Sequence, residues 1–379
     1  MRQPALAHYR LPVFQELASR DGIELRLLYG VSKAIPNVDP VGLDALESPL
    51  RTMSCPGLGE WYLDPAVRNE IQSYRADVLL TWWNARQLDT RSIARWARRR
   101  GVGTAIWGHG VSKRDAWWRR ALRDRQAKVA DAVITYSRSA REAVSERGIS
   151  NEKLFVAPNT LDQRPNREAA EYWADHGEEL AQRRAGIGVG PGPIIGFVSR
   201  LDPLNRLDLL IDALPEVRKS VAGAQVLAVG RGDEELARLQ RMARERGVED
   251  CVIFMPPEYD ARGVGAYLAM SEVYCYPSNM GLSLLHAFAF GLPVVTSDAV
   301  DLHGPEIEYF EDHVHGRFYR AGDARSLAER LVEVLTQGDA GREAMRAATR
   351  RAAYEQYTLG AMADGLESAC RFAASRTRG

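Results

Sequence analysis

The sequence predicts two doubly wound α/β domains, each a Rossmann-like parallel sheet with helices on both faces, and three observations lead there. Short apolar runs alternate with amphipathic stretches of about ten to fifteen residues, the pattern of βαβ units. The alternation occurs twice, on either side of Gly186-Ile187-Gly188-Val189-Gly190-Pro191-Gly192-Pro193, where glycine and proline fill six of eight positions. The length, 379 residues, exceeds what one ordinary core organises.

The elements follow in order. Leu11 to Ala18 has helical spacing with a proline in its first turn, which leaves little before it for a first strand, so that strand is short or incomplete. Ile23 to Tyr29 reads as a strand, and residues 31 to 64, rich in Pro, Gly and Asp, have no clear period. Order returns with a helix over Pro65–Tyr74 and a buried strand over Asp77–Trp82. A helix over Arg91–Arg100, a strand over Gly103–Trp107 and a helix over Asp115–Ala130 follow. Then come strand Ala132–Tyr136, helix Arg138–Arg147 and strand Lys153–Ala157. Residues 1–162 form the first domain and 163–192 the linker. After the break come strand Ile194–Val198, helix Arg206–Ser220, strand Gln225–Val229, helix Glu234–Arg246 and strand Cys251–Met255. Helix Arg262–Met270 and strand Val273–Tyr276 complete this run. A strand at Gly316–Tyr319 and helices near 324–336, 342–356 and 359–374 close the chain. Residues 193–355 form the second domain, and 356–379 a terminal helix.

The formal net charge of zero conceals a division. Residues 1–163 hold 25 Lys+Arg against 18 Asp+Glu, a net of +7, and the remainder holds 25 against 32, a net of −7. Arg86 to Lys128 alone has 13 basic residues and three acids, which points to an anionic partner for the first half. No run of about 18 apolar residues is present to span a membrane. The start has no apolar core of signal-peptide length, and Cys55, Cys251, Cys275 and Cys370 are not paired by spacing. The expectation is a cytoplasmic protein without a disulfide framework or a zinc site. No Ser-His-Asp set and no Gly-x-x-x-x-Gly-Lys loop occurs.

The chemistry is expected in Tyr276 to Val295. A buried strand ends at Tyr276, Pro277-Ser278-Asn279-Met280-Gly281 turns, a short apolar helix starts near Leu282, and Gly291 and Pro293 stop it before a strand over Val294–Ser297. In a doubly wound domain this loop lies at the carboxyl end of the sheet, where Gly281, Leu282 and Ser283 can turn backbone N–H groups toward a phosphate.

Several landmarks stand in one order along the second half: Gly196-Phe197-Val198-Ser199-Arg200-Leu201, Arg206, Leu210-Ile211-Asp212-Ala213-Leu214, Val229-Gly230-Arg231-Gly232, the Pro277–Val295 block and Gly304-Pro305-Glu306. Together they resemble the donor domain of retaining glycosyltransferases of family 4, with the GT-B fold. Tyr9-Arg10-Leu11-Pro12-Val13-Phe14, Gly108-His109-Gly110, Tyr136-Ser137 and Val156 to Asp162 look like the acceptor-domain landmarks of members that build bacterial surface polysaccharides. The resemblance covers nearly the whole chain. It implies two domains facing each other across a cleft, a nucleotide diphosphate sugar as donor, a glycan or lipid-linked acceptor, and a last helix that crosses back to the first domain.

By this resemblance Arg200 and Arg206 hold the departing diphosphate, His109 approaches the donor sugar, and Gly230, Arg231, Ser278, Gly281, Leu282, Ser283, His286 and Glu306 bind the donor. Ser137 and Asn159 are acceptor or cleft residues, and read equally well as a helix N-cap and an Asx-turn. Relatives of this kind carry two glutamates eight residues apart where this chain has Ser278 and His286. His286 therefore reads either as a subfamily replacement for the ribose-binding carboxylate or as a satisfied helix histidine. The chain has no Asp-x-Asp, the usual metal grip of the other main glycosyltransferase fold, so neither a metal nor a cofactor is expected.

Trp96, Trp117 and Trp118 are interleaved with Arg95, Arg98, Arg99, Arg100, Arg114, Arg119, Arg120, Arg123, Arg125 and Lys128. Residues 86–128 are thus a candidate for peripheral contact with an anionic membrane; the same residues also suit a solvated basic helix whose tryptophans pack inward. No nucleic-acid-binding module accompanies the charge. A nucleotide-sugar 2-epimerase of the same fold and a non-catalytic sugar-nucleotide-binding protein remain open alternatives.

Overall fold

The computed structural model describes residues 1–31, 35–48, 50–55, 59–111 and 116–377, which divide into two compact units. Unit 1 runs from Met1 to Leu161 and resumes at Leu359, and unit 2 is Asp162–Thr358.

Unit 1 contains β1 (Arg2–Gln3), α1 (Leu11–Ala18), β2 (Arg26–Tyr29), β3 (Asp44–Glu47), β4 (Arg51–Cys55), β5 (Gly59–Leu63) and α2 (Val67–Ser73). It continues with β6 (Val78–Trp82), α3 (Thr90–Arg98), β7 (Gly103–Trp107), α4 (Trp117–Val129), β8 (Ala132–Thr135), α5 (Arg138–Glu146) and β9 (Leu154–Val156). Seven parallel strands form one sheet in the order β3-β2-β1-β6-β7-β8-β9, and β4 pairs with β5 as a separate antiparallel hairpin. The stretch 31–64 therefore holds three strands where no period is legible. β3 is an edge strand of sequence Asp-Ala-Leu-Glu whose Leu46 is exposed, so it carries no burial signal. Arg114 and Asp115, expected in the basic region and at the start of a helix, lie outside the described residues.

β7 and β8 are buried at every position, as expected of parallel strands covered on both faces. Lys153 closes the C-terminal end of α4, where its Nζ donates to the carbonyl oxygens of Ala127 (2.8 Å), Lys128 (3.2 Å) and Ala130 (3.0 Å).

Unit 2 opens with α6 (Arg164–Asp175) and α7 (Gly177–Gly186), where the sequence reads as a linker. The reason for the difference is Trp173. It is buried against Ile194, Leu227 and Tyr267, and its indole N–H donates to the Arg262 carbonyl at 2.8 Å. Truncating such a residue costs about 3 to 5 kcal/mol, enough to fix a helix that is otherwise polar. There follow β10 (Ile194–Val198), α8 (Leu207–Ser220), β11 (Gln225–Val229), α9 (Asp233–Glu245), β12 (Val252–Met255), α10 (Ala261–Ala269) and β13 (Val273–Tyr276). After them come α11 (Ser283–Ala289), β14 (Val294–Ser297), β15 (Gly316–Tyr319), α12 (Ala324–Thr336) and α13 (Asp339–Arg351), the last continued by a π-turn over Ala352–Gln356. The six strands are parallel, in the order β12-β11-β10-β13-β14-β15.

α14 (Leu359–Ser375) returns to unit 1. Met362, Leu366, Ala369 and Ala373 recur at three- and four-residue spacing and lie in one buried cluster with Phe14, Leu80 and Trp107.

Candidate functional site

In unit 2 the chain lays β11 and β12 to one side of β10, then returns to place β13 on the other. The strand order reverses between β10 and β13, so the crevice outside their carboxyl ends is where a doubly wound sheet binds a ligand. Two loops meet there, Ser199–Arg206 after β10 and Pro277–Leu282 after β13.

The loops are tied together by side chains. Tyr274 donates its hydroxyl to the Val198 carbonyl at 2.9 Å, and the Tyr276 hydroxyl lies 2.8 Å from Ser199 Oγ. Asn205 Nδ2 donates to the Arg200 carbonyl at 2.9 Å, and Asn279 Nδ2 donates to Asn205 Oδ1 at 3.0 Å. Tyr319 donates to the Pro277 carbonyl at 2.8 Å. Burial pushes the Tyr274, Tyr276 and Tyr319 hydroxyls above the usual phenol range, so they serve as fixed donors. The turn after β11 packs equally closely. A Cβ at Gly230 would fall on the Ser199 carbonyl oxygen, and the Arg231 carbonyl accepts the Leu201 N–H at 2.8 Å.

Arg200 and Arg231 are exposed, and neither guanidinium is paired among the described residues. Arg206 differs. Its guanidinium makes a fork with Asp208, with Nε 3.0 and 3.2 Å from the two carboxylate oxygens and Nη2 at 3.1 Å from one, and that hydrogen bonding raises its pKa. Its backbone is left-handed, with φ 57°.

On the other side of the crevice, Ser278 is buried and Asn279 takes the left-handed turn position with φ 60°. The N–H groups of Gly281, Leu282 and Ser283 have no acceptor among the described residues. His303, also buried, holds this loop. Its Nδ1 accepts the Met280 N–H at 3.1 Å, while Nε2 lies 2.9 Å from Ser297 Oγ and 3.1 Å from the Ser297 carbonyl. With Nδ1 accepting, Nε2 carries the proton. The Gly304 N–H donates to the Met280 carbonyl at 2.6 Å, and the buried Glu306 carboxylate sits against Gly304 and Gly281. His303→Leu leaves the Met280 N–H buried without an acceptor, and the expected loss is about 1 to 3 kcal/mol in urea unfolding. His303→Asn offers a carbonyl oxygen in place of Nδ1 and should recover part of that loss; equal losses in the two variants would show that Met280 does not depend on this acceptor.

His286 is on α11 and turns toward α6. Its Nδ1 lies 3.1 Å from Asn166 Oδ1, Asn166 donates to Gln163 Oε1 at 2.7 Å, and Gln163 donates to the Leu285 carbonyl at 3.2 Å.

In unit 1 the expected residues also gather at the carboxyl end of the sheet. His109 follows β7 and packs against Tyr136, with ring centroids 4.7 Å apart. Gly110, with φ 68°, has the left-handed backbone that glycine adopts without strain. Ser137 is the N-cap of α5, its Oγ accepting the Ala140 N–H at 3.2 Å, and Asn159 is buried just beyond β9. Sequence reasoning missed Asn205, Asn279 and His303. Of these only Asn279 left a signal, a turn asparagine two residues before a glycine.

A profile described as glycosyltransferase family 4 matches residues 15–164, and one described as glycosyl transferases group 1 matches residues 192–337. The chain belongs to the family 4, group 1 glycosyltransferases. A phosphatidyl-myo-inositol mannosyltransferase of Mycobacterium leprae is 35% identical over 149 residues, 38% of this chain and 37% of that protein. A GDP-mannose-dependent alpha-(1-6)-phosphatidylinositol monomannoside mannosyltransferase of Mycolicibacterium smegmatis is 31% identical over 219 residues, 54% of this chain and 53% of that protein. The chain thus spans about a third to a half of the length of these curated relatives. The crystal structure of Anabaena HepE in complex with UDP aligns with a TM-score of 0.70 at 17% identity, covering 97% of this chain and 98% of that chain. The fold is GT-B.

Proposed function

We propose that this glycosyltransferase moves a sugar from a nucleotide diphosphate sugar to a hydroxyl of a glycan, lipid-linked or small-molecule acceptor, with retention of configuration and without a metal. The observation that carries this reading is the unit 2 crevice, where the unpaired Arg200 and the open N–H groups of Gly281, Leu282 and Ser283 stand at one switch point. Fixed cations and amide dipoles stabilise charge that develops on a leaving diphosphate. Unit 2 takes the donor and unit 1 the acceptor. The bond from the anomeric carbon to the diphosphate oxygen breaks as the acceptor oxygen bonds to that carbon on the same face, and the hydroxyl proton passes to a diphosphate oxygen. Arg200 and Arg206 hold the departing group, His109 approaches the sugar, and Ser278, His286 and Glu306 bound the nucleotide pocket together with Gly230 and Arg231. Anabaena HepE was crystallised with UDP and the M. smegmatis relative is GDP-mannose-dependent, so either nucleotide is a reasonable first probe.

Calorimetric titration with UDP, GDP and their common sugar conjugates tests the reading. Binding of at least one nucleotide diphosphate, with its release from the sugar conjugate when an acceptor is added, is the expected result. No binding of any of them overturns it, and conversion of the sugar nucleotide without an acceptor turns it toward an epimerase.

A second part of the reading concerns the membrane. No helix among the described residues is long and apolar enough to cross one. On α4, however, Trp117 is 74% exposed and Arg120, Arg125 and Lys128 are also exposed, whereas Trp118 stacks on Trp61 and Arg123 is buried. Tryptophan with cations on one helix suits the interface of an anionic bilayer, and each cation near the surface contributes about 1 kcal/mol. Flotation with phosphatidylglycerol vesicles should weaken when Arg120, Arg125 and Lys128 are changed to Glu; unchanged flotation excludes this face.

A further inference from the structure

The carboxyl end of the unit 1 sheet holds a cation, Arg10, to which the transfer reaction proposed above assigns no role. Arg10 stands in the connection that leaves β1, and β1 lies between β2 and β6, where the order of this sheet reverses. Its guanidinium carbon lies 4.9 Å from the centre of the Trp107 ring, 5.1 Å from Tyr136 and 5.2 Å from Tyr9. Nη2 donates to the Tyr136 hydroxyl at 3.1 Å, and Nη1 approaches Met362 Sδ at 3.8 Å. Tyr136 is also the ring against which His109 packs.

Three aromatic rings hold this fork in place without neutralising it, because a ring quadrupole attracts the charge and leaves most N–H donors open. Several other arginines of the unit are met by acids: Arg2 by Asp89, Arg20 by Glu16, Asp364 and Glu367, Arg26 by Asp44, and Arg147 by Asp124. No described carboxylate does this for Arg10. A half-buried cation without a counter-charge keeps a desolvation cost that an incoming oxyanion would remove.

We propose that Arg10 binds a phosphate of the acceptor, so that this glycosyltransferase selects acceptors that carry one. The inference rests on the proposed transfer reaction and names its acceptor class. The planar fork takes two phosphate oxygens through the N–H groups that Tyr136 leaves open, a geometry that lysine cannot reproduce. The phosphate belongs either to a soluble sugar or polyol phosphate or to a lipid headgroup, and the two are separable by experiment.

The full-length protein, with its nucleotide site saturated by UDP or GDP, is titrated with glycerol 3-phosphate and, as a neutral control, glycerol. In a second arm it is mixed with phosphatidylcholine vesicles with and without phosphatidic acid. Wild type should bind phosphate in one arm or both, and which arm responds identifies a soluble or a lipid-borne acceptor. Arg10→Met should weaken that binding about tenfold or more, the worth of a hydrogen bond to a charged group. Arg10→Lys, which keeps the charge and loses the fork, should fall between. Nucleotide affinity, a property of unit 2, is measured in every variant; its absence in wild type sinks the donor reading, while the contrast between wild type and the Arg10 variants still decides the phosphate site. If Arg10→Met does not fold, Tyr136→Phe takes its place, with an expected loss of about threefold from the freed fork. Equal phosphate binding by wild type and these variants, or none by wild type in either arm, overturns the proposal.

Discussion

Replacing Asp89 with alanine is expected to lower the unfolding free energy of unit 1 by about 3 to 5 kcal/mol, because it leaves a buried guanidinium without its counter-charge. The Arg2 side chain is 1% exposed; Nε donates to Thr81 Oγ1 at 2.9 Å and Nη1 reaches the two Asp89 oxygens at 3.1 and 3.0 Å. Asp89 also accepts the Asp64 N–H at 2.9 Å and Gln87 Nε2 at 2.6 Å, so one carboxylate ties β1 to the segments that precede α2 and α3. The charge, more than the lost hydrogen bonds, decides the size of the effect. An Arg2→Met, Asp89→Leu double variant should therefore recover most of the loss, since apolar groups of similar volume often replace a buried pair at little cost. Urea unfolding followed by circular dichroism measures both. A loss below about 1 kcal/mol for Asp89→Ala would mean that Arg2 finds water or another partner once the carboxylate is gone.

Strands buried on both faces were legible because nothing but an apolar run can fill them, and β10, β11, β13 and β14 are buried at nearly every position. β3 was not legible, because an edge strand half in water needs no such run. The α6–α7 segment read as a linker for a related reason: most of its surface is polar, and a few side chains such as Ala169 and Trp173 do the burying. Within the crevice, Gly230 stood out because a Gly-rich turn follows its strand directly, and Arg200 through the resemblance that its landmark carries. Asn205 and His303 act on backbone or side-chain groups of a loop 74 and 23 residues away, and spacing along the chain holds no trace of that. Likewise the resemblance gives Arg206 the same role as Arg200, and nothing in that pattern shows that the Arg206 guanidinium pairs with Asp208.

That difference between the two arginines sets the second expectation, that Arg200→Ala lowers kcat/KM by about 10²- to 10³-fold, the usual cost of removing one preorganised group from a developing oxyanion. The loop itself should survive the change. Its course depends on the Asn205 contact to the Arg200 carbonyl, the Ser199 contact to Tyr276 and the fit over Gly230, none of which uses the Arg200 side chain. A cation that meets charge mainly as the diphosphate departs acts on the transition state, so kcat and kcat/KM should fall together while the KM for the sugar nucleotide moves little. Arg206→Ala should cost less, because its guanidinium is already shared with Asp208, and Asp208→Asn should strengthen nucleotide binding by releasing it. Initial rates of nucleotide diphosphate release, measured over a range of donor concentrations, separate these cases. An Arg200→Ala enzyme with kcat within about twofold of wild type would remove Arg200 from the reaction and leave the backbone N–H groups of Gly281 to Ser283 as the principal stabilisers of the leaving group.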